Sequence, residues 1–431
     1  MFACAAASVC GASGAQADVR FGDSAWVAPT YATGGDSITD GPRVARPDHE
    51  RGWETALRTP FRVVFFPLRL VASGLEAGMG YVGPRVFEPK AKRPAKPGPA
   101  LAPWITLHAL NDIGVGPAIT WVGFPTADAR LRLAGAWSAI DCRRVRFSET
   151  IHERTPVGFR LRADYDYKPN RLYYGTGNET PEADRSNFLL ASTSTEAALL
   201  LGARPLHQLR IVGGYSSMSP GRGHHGQPLL QDVFLPGAVP FEAQTTQEFW
   251  YGVNADLAAL DEGRDPSRGV HARVDLRRAA GRRAGDPDYD RWRVEGRAYL
   301  PVFAKRRVIA VRGVYSGVVP RGSTTILPFY RLMGSEGTSR FAGFASERFR
   351  DRQLMLARIE YRWAILHRIS ALAMYELGEV APRLESFSLS DAHTSYGGGL
   401  RMGLSEEATF RFELAKSAEG LHAFIALGGD F

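Results

Sequence analysis

From Trp104 onward, apolar and polar side chains alternate with a period of two. Val157, Phe159, Leu161, Ala163, Tyr165 and Tyr167 alternate with Gly158, Arg160, Arg162, Asp164 and Asp166. The same period runs through 270–277, 292–300, 355–365 and 410–415. There Met355, Ala357 and Ile359 face away from Arg358, Glu360 and Arg362, and Phe410 and Phe412 from Arg411 and Glu413. Successive strand residues point to opposite faces, so each segment predicts a strand with one apolar and one charged face.

A soluble sandwich would turn the apolar face inward. A membrane barrel inverts this, with apolar side chains toward lipid and charged ones toward a wet lumen. Segment length favours inversion: about 9–13 residues suits a tilted bilayer crossing, whereas soluble strands average about 5–6. Aromatics gather near segment ends (Trp137, Tyr165, Tyr167, Tyr173, Tyr174, Trp250, Tyr251, Tyr361, Trp363), as interfacial girdles do. Hydrocarbon offers no partner to a free N–H or C=O, so the sheet must close. The expected fold is all-β: a transmembrane antiparallel barrel over 104–431 of about 16 strands, within a range of roughly 12 to 18.

The N-terminal quarter reads differently. Residues 2–17 are small and apolar and end in Ala15-Gln16-Ala17, an A-x-A type cleavage site, although no positive n-region precedes them. Residues 1–17 are therefore expected to be a signal peptide, which leaves Cys142 as the remaining cysteine, too few for an intramolecular disulfide or a zinc site. Residues 18–103 are expected to be a short periplasmic segment. Thr59-Pro60 opens an amphipathic helix over about 60–81, and 88–103 form a Pro/Lys linker. Net charge is +8, but the arginines are spread along the chain, so no nucleic-acid patch is expected. Mean hydropathy of −0.20 and the lack of a long apolar run exclude a helical membrane protein.

The last segment, LHAFIALGGDF, places Leu421, Ala423, Ile425 and Leu427 at every second position and stops on Phe431. A terminal aromatic closing an alternating strand resembles the barrel signal of bacterial outer-membrane proteins, with Leu427 and Phe431 as its residues. Residues 327–363 carry Leu332-Met333-Gly334, Ala342-Gly343-Phe344, Arg348-Phe349-Arg350-Asp351 and Glu360-Tyr361-Arg362 in order. Tyr173 to Asn178 (YYGTGN), Tyr375-Glu376-Leu377-Gly378 and Ser395 to Arg401 (SYGGGLR) add further matches. Together these resemble the bacterial surface-antigen family of outer-membrane barrels, which includes barrel-assembly and translocation-assembly proteins.

That resemblance implies a 16-stranded barrel whose sixth external loop folds back into the lumen, where a loop arginine meets an acid of the inner wall. Here Ala342 stands at the arginine's place, and Glu376 is the wall acid. Gly343, Phe344, Arg348 and Asp351 carry the lumen-loop motif, and Arg340 or Arg348 is expected to supply the missing cation to Glu376. The plainer reading is that these residues only shape a tight loop. No β-α-α-β-β module of the family's periplasmic kind is legible in 18–103, so the assembly role does not transfer automatically.

Motifs for chemistry are absent. Gly214-Tyr215-Ser216-Ser217-Met218 fails the nucleophile-elbow pattern, and Pro156 breaks a zinc pattern opened by His152-Glu153. His224-His225 and the acidic groups around Asp261 and Asp286 read as exposed loops. No cofactor, metal or catalytic residue is expected. The leading expectation is a surface-antigen-type outer-membrane barrel engaged in protein or lipid assembly or passive translocation. Its expected partners are outer-membrane lipids and lipopolysaccharide, with barrel-assembly machinery during biogenesis. A lipid hydrolase barrel, a plain porin-like channel and a soluble periplasmic β-protein are the alternatives.

Overall fold

The computed structural model describes residues 19–20 and 97–427, apart from 110–111, 139–140, 153–154, 203–206, 225–227, 262–265, 303, 336–338, 366–368 and 404–408. The expected signal peptide, the helix over 60–81 and Phe431 lie outside the described residues. Sixteen long strands follow one another: β1 (Gly98–Ala109), β2 (Asp112–Val122), β3 (Arg130–Ser138), β4 (Arg143–Ile151), β5 (Val157–Tyr173), β6 (Ser186–Leu201), β7 (His207–Arg222), β8 (Thr246–Leu260), β9 (Gly269–Gly281), β10 (Tyr289–Val302), β11 (Ala304–Pro320), β12 (Gln353–Ala364), β13 (Ile369–Ala381), β14 (His393–Gly403), β15 (Thr409–Ser417) and β16 (Gly420–Leu427). Each pairs antiparallel with its predecessor, and β16 returns beside β1, so the sheet closes as lipid demands.

Polarity is inside out. Along β5, Phe159, Leu161 and Tyr165 are exposed on the outer surface, while Arg160 is buried in the lumen. Along β12, Ile359 faces out, while Arg358, Glu360 and Arg362 face in and are buried. The outer apolar surface also includes Ile119, Leu133, Ile211, Val253, Val294 and Leu414. No closed soluble core could leave such a band in contact with water; it is the lipid-facing belt of a barrel.

Three details depart from the sequence reading. The barrel begins at Gly98 rather than Trp104, so the last six residues of the expected linker are strand. Its prolines do not forbid this, because proline keeps an extended φ and only withholds a donor. The aromatic girdle is also smaller: Trp137, Tyr165 and Tyr251 face outward, but Tyr173, Tyr174 and Trp250 are buried. Those three sit at strand ends, as a girdle residue would, but on the inner face or beneath the loops. The third departure is a bulge in β5 between Lys168 and Arg171, which shifts the register and turns Arg171 and Tyr173 inward.

Because strands alternate in direction, eight connections lie at the end of the barrel away from the start of β1 and the end of β16. The large ones are loop 3 (174–185), loop 4 (223–245), loop 6 (321–352) and loop 7 (382–392); loop 8 (418–419) is a tight turn. Tyr173, Phe188, Leu230, Val239, Phe329 and Tyr330 from these loops and nearby strand ends form an apolar cluster, with the Phe188 and Phe329 rings 4.7 Å apart edge to face. Such pairs add about 0.5–1.5 kcal/mol each beyond their burial. The loops thus make a packed dome over one end of the barrel.

Candidate functional site: a loop clamped in the lumen

Loop 6 leaves β11, passes through a 3-10 turn (Phe329–Arg331), and pairs Met333–Gly334 with Arg350–Asp351 in a two-residue ribbon. The hairpin between these points drops into the barrel. Phe341, Phe344 and Phe349 pack there against Leu354, Leu356 and Val380 of the inner wall. Two glycines make the fit possible. A Cβ at Gly378 on β13 would overlap the Phe341 ring, and one at Gly343 would collide with Ser395 on β14.

Glu376 receives the tip of the loop. The Ala342 N–H donates to its Oε2 at 2.7 Å, and Ser395 Oγ donates to the same oxygen at 3.2 Å. Its other oxygen is held by Arg358 Nη1 at 2.7 Å. Arg358 also donates to Glu360 and Glu413, both at 2.6 Å. Arg362 Nε bonds Glu360 at 2.6 Å, and Arg411 pairs with both Glu360 and Glu413. Glu360, Glu376 and Glu413 therefore share the guanidinium groups of Arg358, Arg362 and Arg411 in one buried network on β12, β13 and β15. Removing one member of such a network costs about 3–5 kcal/mol, because the others stay buried without it.

This corrects the expected partner of Glu376. The ion-pair partner is Arg358 of the wall; Arg348 of the loop bonds elsewhere, and Arg340 acts on Glu376 only at longer range. Arg348 instead pairs with Glu419 at 2.7 Å, donates to Thr180, and lies over the Tyr174 and Phe349 rings. Arg340 extends to the inner face of the last strand, its guanidinium 4.3 Å from the Phe424 ring centroid. The physical reason is local. Ala342 is enclosed by Leu372, Met374 and Ala415, an apolar lining that suits a methyl group and would leave a guanidinium unsolvated. The loop offers a backbone dipole to Glu376, and the wall offers the charge.

Other anchors hold the loop. Arg331 bonds Glu248 of β8 at 2.9 Å, and Glu248 also accepts from Tyr289 and Ser216. Glu347 is gripped by Arg171 at 2.8 Å and by the Leu172 N–H, both placed by the β5 bulge. The YYGTGN turn joins in: Gly177 N donates to Arg350 O at 2.8 Å, and the Asn178 side chain bridges Val380 N and Asp391 O. Of the expected site residues, Gly343, Phe344, Arg348, Asp351 and Glu376 therefore meet in and above one lumen loop. Leu427 ends β16 opposite Phe410.

Arg358, Arg411 and Glu413 escaped the sequence reading as site residues, although their charged face was visible. A hairpin count finds the key pair: Ala364 faces Ser370, and six residues back along each strand Arg358 faces Glu376.

Residues 231–431 match the family model described as the Omp85 superfamily domain. Among solved structures, the chain is similar to BamA from Haemophilus ducreyi lacking POTRA domains 1-3, with a TM-score of 0.59 at 14% identity, covering 78% of this chain and 70% of that one. CdiB from Acinetobacter baumannii gives a TM-score of 0.45 at 11% identity, covering 76% of this chain and 58% of that one. No curated protein matches the chain in sequence. The C-terminal 201 residues thus match the Omp85 superfamily domain, the whole barrel shares the fold of the BamA barrel, and the chain is a bacterial outer-membrane protein.

Proposed function

Taking an outer-membrane barrel of the Omp85 type as the premise, we propose that this protein promotes the insertion or passage of polypeptide at the outer membrane and does not serve as an open pore. The observation that carries this reading is the position of loop 6. It is fixed on the inner wall from β13 to β16, reaching Glu376, Ser395, Glu419 and Phe424, directly inside the junction of β16 with β1. That junction joins the two ends of the barrel, so no hairpin ties its strands together. The first two strands also carry Pro99, Pro103 and Pro117, which have no N–H to give to a ladder. A client strand can pair with edges exposed there by strand addition. The packed dome and the clamped loop both argue against free solute flow.

The surface-antigen resemblance supports the same reading, and the apolar outer belt supports direct contact with acyl chains. Barrel-assembly machinery would insert this chain during its own biogenesis. The test is a proteoliposome assay in which an unfolded small outer-membrane barrel folds with and without the purified protein, read by heat-modifiable gel mobility. Acceleration is expected, and a disulfide engineered between β1 and β16 should abolish it. Steady ion conductance with no acceleration would replace this reading with the porin-like one.

A further inference from the structure

The inner wall from β3 to β9, away from Glu376 and its network, carries a pattern of charge that neither the clamp nor the strand junction uses. The odd-numbered strands β3, β5, β7 and β9 all start at the end of the barrel opposite the dome. Each places an arginine on its inner face within its first five residues: Arg130, Arg160, Arg210 and Arg273. Period two fixes that side. Phe159 and Leu161 flank Arg160, Leu209 and Ile211 flank Arg210, and all four are exposed on the outer surface.

Acids do not keep pace with these arginines. On β4, Thr150 stands opposite both Arg130 and Arg160, where a carboxylate would neutralise them. Glu196 on β6 is taken by Arg160 at 3.2 Å. Asp256 on β8 is taken by Arg273 at 2.7 Å and by His271 at 2.8 Å. That leaves Arg130 and Arg210, neither of which makes a hydrogen bond or an ion pair among the described residues, and Arg210 Nε is buried without a partner there. Arg160 and Arg273 repel Arg210, while Asp256 and Glu196 attract it only from beyond ion-pair reach. Like charges crowded on one face of a sheet are destabilising, and an anion bound between them reverses the sign of that interaction.

Spacing selects the kind of anion. Arg130, Thr150, Arg160, Ala198 and Val212 form one cross-strand row, and Arg210 lies one same-face step from Val212. Four strand spacings and that step put Arg130 and Arg210 about 20 Å apart along the wall. A single carboxylate or phosphate cannot reach both. An extended polypeptide rises about 3.3 Å per residue and spans the gap in roughly six residues.

We propose that the inner wall from β3 to β9 binds an acidic stretch of extended polypeptide, whose carboxylates pair with Arg130 and Arg210 while Arg160 and Arg273 strengthen the field around them. That the ligand is a polypeptide follows from the function proposed above; that it is acidic follows from the wall. Fluorescence anisotropy of a labelled oligoglutamate peptide, titrated with the full chain refolded in detergent at low salt, tests this. Saturable binding is expected. Arg210→Gln and Arg130→Gln should each weaken it about three- to tenfold, the pair together more, and added salt should weaken it further. Arg210→Lys keeps the charge and should retain most of the affinity. Arg383→Gln, at an exposed arginine of loop 7, should leave affinity unchanged. Heat-modifiable mobility shows which variants are folded. No binding of oligoglutamate, equal binding of oligolysine or of an oligothymidylate strand, or unchanged affinity in folded Arg130→Gln and Arg210→Gln proteins would each overturn the proposal. The client-folding assay, run on the same preparations, keeps the two readings apart. Acceleration without oligoglutamate binding removes the acidic-peptide site alone, and oligoglutamate binding without acceleration removes the client-folding role alone.

Discussion

The two sides of the lumen wall carry the same alternation of charge, yet they use it differently. On β12, β13 and β15 the acids Glu360, Glu376 and Glu413 have side chains 0–1% exposed and share three arginines in one network. On β4 to β9 the acids that do not touch loop 6 are wetter, whereas Glu248 beneath Arg331 is as dry as the first group. Asp166 is 16% exposed and pairs with Arg144, and Asp164, Glu196, Asp256 and Asp275 face Arg146, Arg160, Arg273 and Arg277 in separate pairs or small groups. Loop 6 covers the first side and leaves most of the second to lumen water. An inward charge is therefore not one kind of residue. Beneath the loop it belongs to a shared dry lock, and on β4 to β9 it sits in smaller groups whose acids keep some contact with the lumen.

The sharpest way to break this contrast is Glu360→Gln, which removes the partner of Arg358, Arg362 and Arg411. It should lower stability by about 3–5 kcal/mol, seen as a shift of the urea midpoint in a refolding titration. Next come Ile359→Arg and Leu161→Arg, one outer-face residue on each side. Both should cost about 2–4 kcal/mol if placed near the midplane, and similar losses would confine the asymmetry to the lumen. Ala342→Arg forces a guanidinium among Leu372, Met374 and Ala415 and should release the loop. The expected readout is faster trypsin cleavage within 336–350, at about 1–3 kcal/mol of destabilisation. The smallest effect belongs to Asp166→Asn, which leaves Arg144 short of one partner, at about 1–2 kcal/mol. A loss as large as that of Glu360→Gln would erase the distinction between the two sides.

Much of this was legible in the chain. Phe159-Arg160-Leu161 and Arg358-Ile359-Glu360 announce their faces because a strand has no choice of side once its period is two. Gly343, Phe344 and Glu376 were legible through resemblance alone, since nothing in their spacing tells a lumen loop from any other turn. The partner of Glu376 is not legible from the motif, which has Ala342 at the arginine's place; cross-strand register supplies Arg358 from the wall instead. Tyr173 and Trp250 misled for a related reason. A strand-end aromatic is equally at home in a girdle or under a dome, and for Tyr173 a bulge that sequence alone does not reveal decides the face.

The grips on loop 6 also fix an order of events. Its contacts reach back 176 residues from Glu347 to Arg171 and forward 71 residues from Arg348 to Glu419. The loop can therefore take its seat only after strands translated well before it and the last hairpin translated well after it have both arrived. Pairings so distant in sequence form slowly. Full seating of the loop is in that sense a completion mark: a barrel still lacking its last hairpin has no Glu419 for Arg348 and no Phe424 for Arg340, so its loop is held by fewer contacts than in the finished molecule.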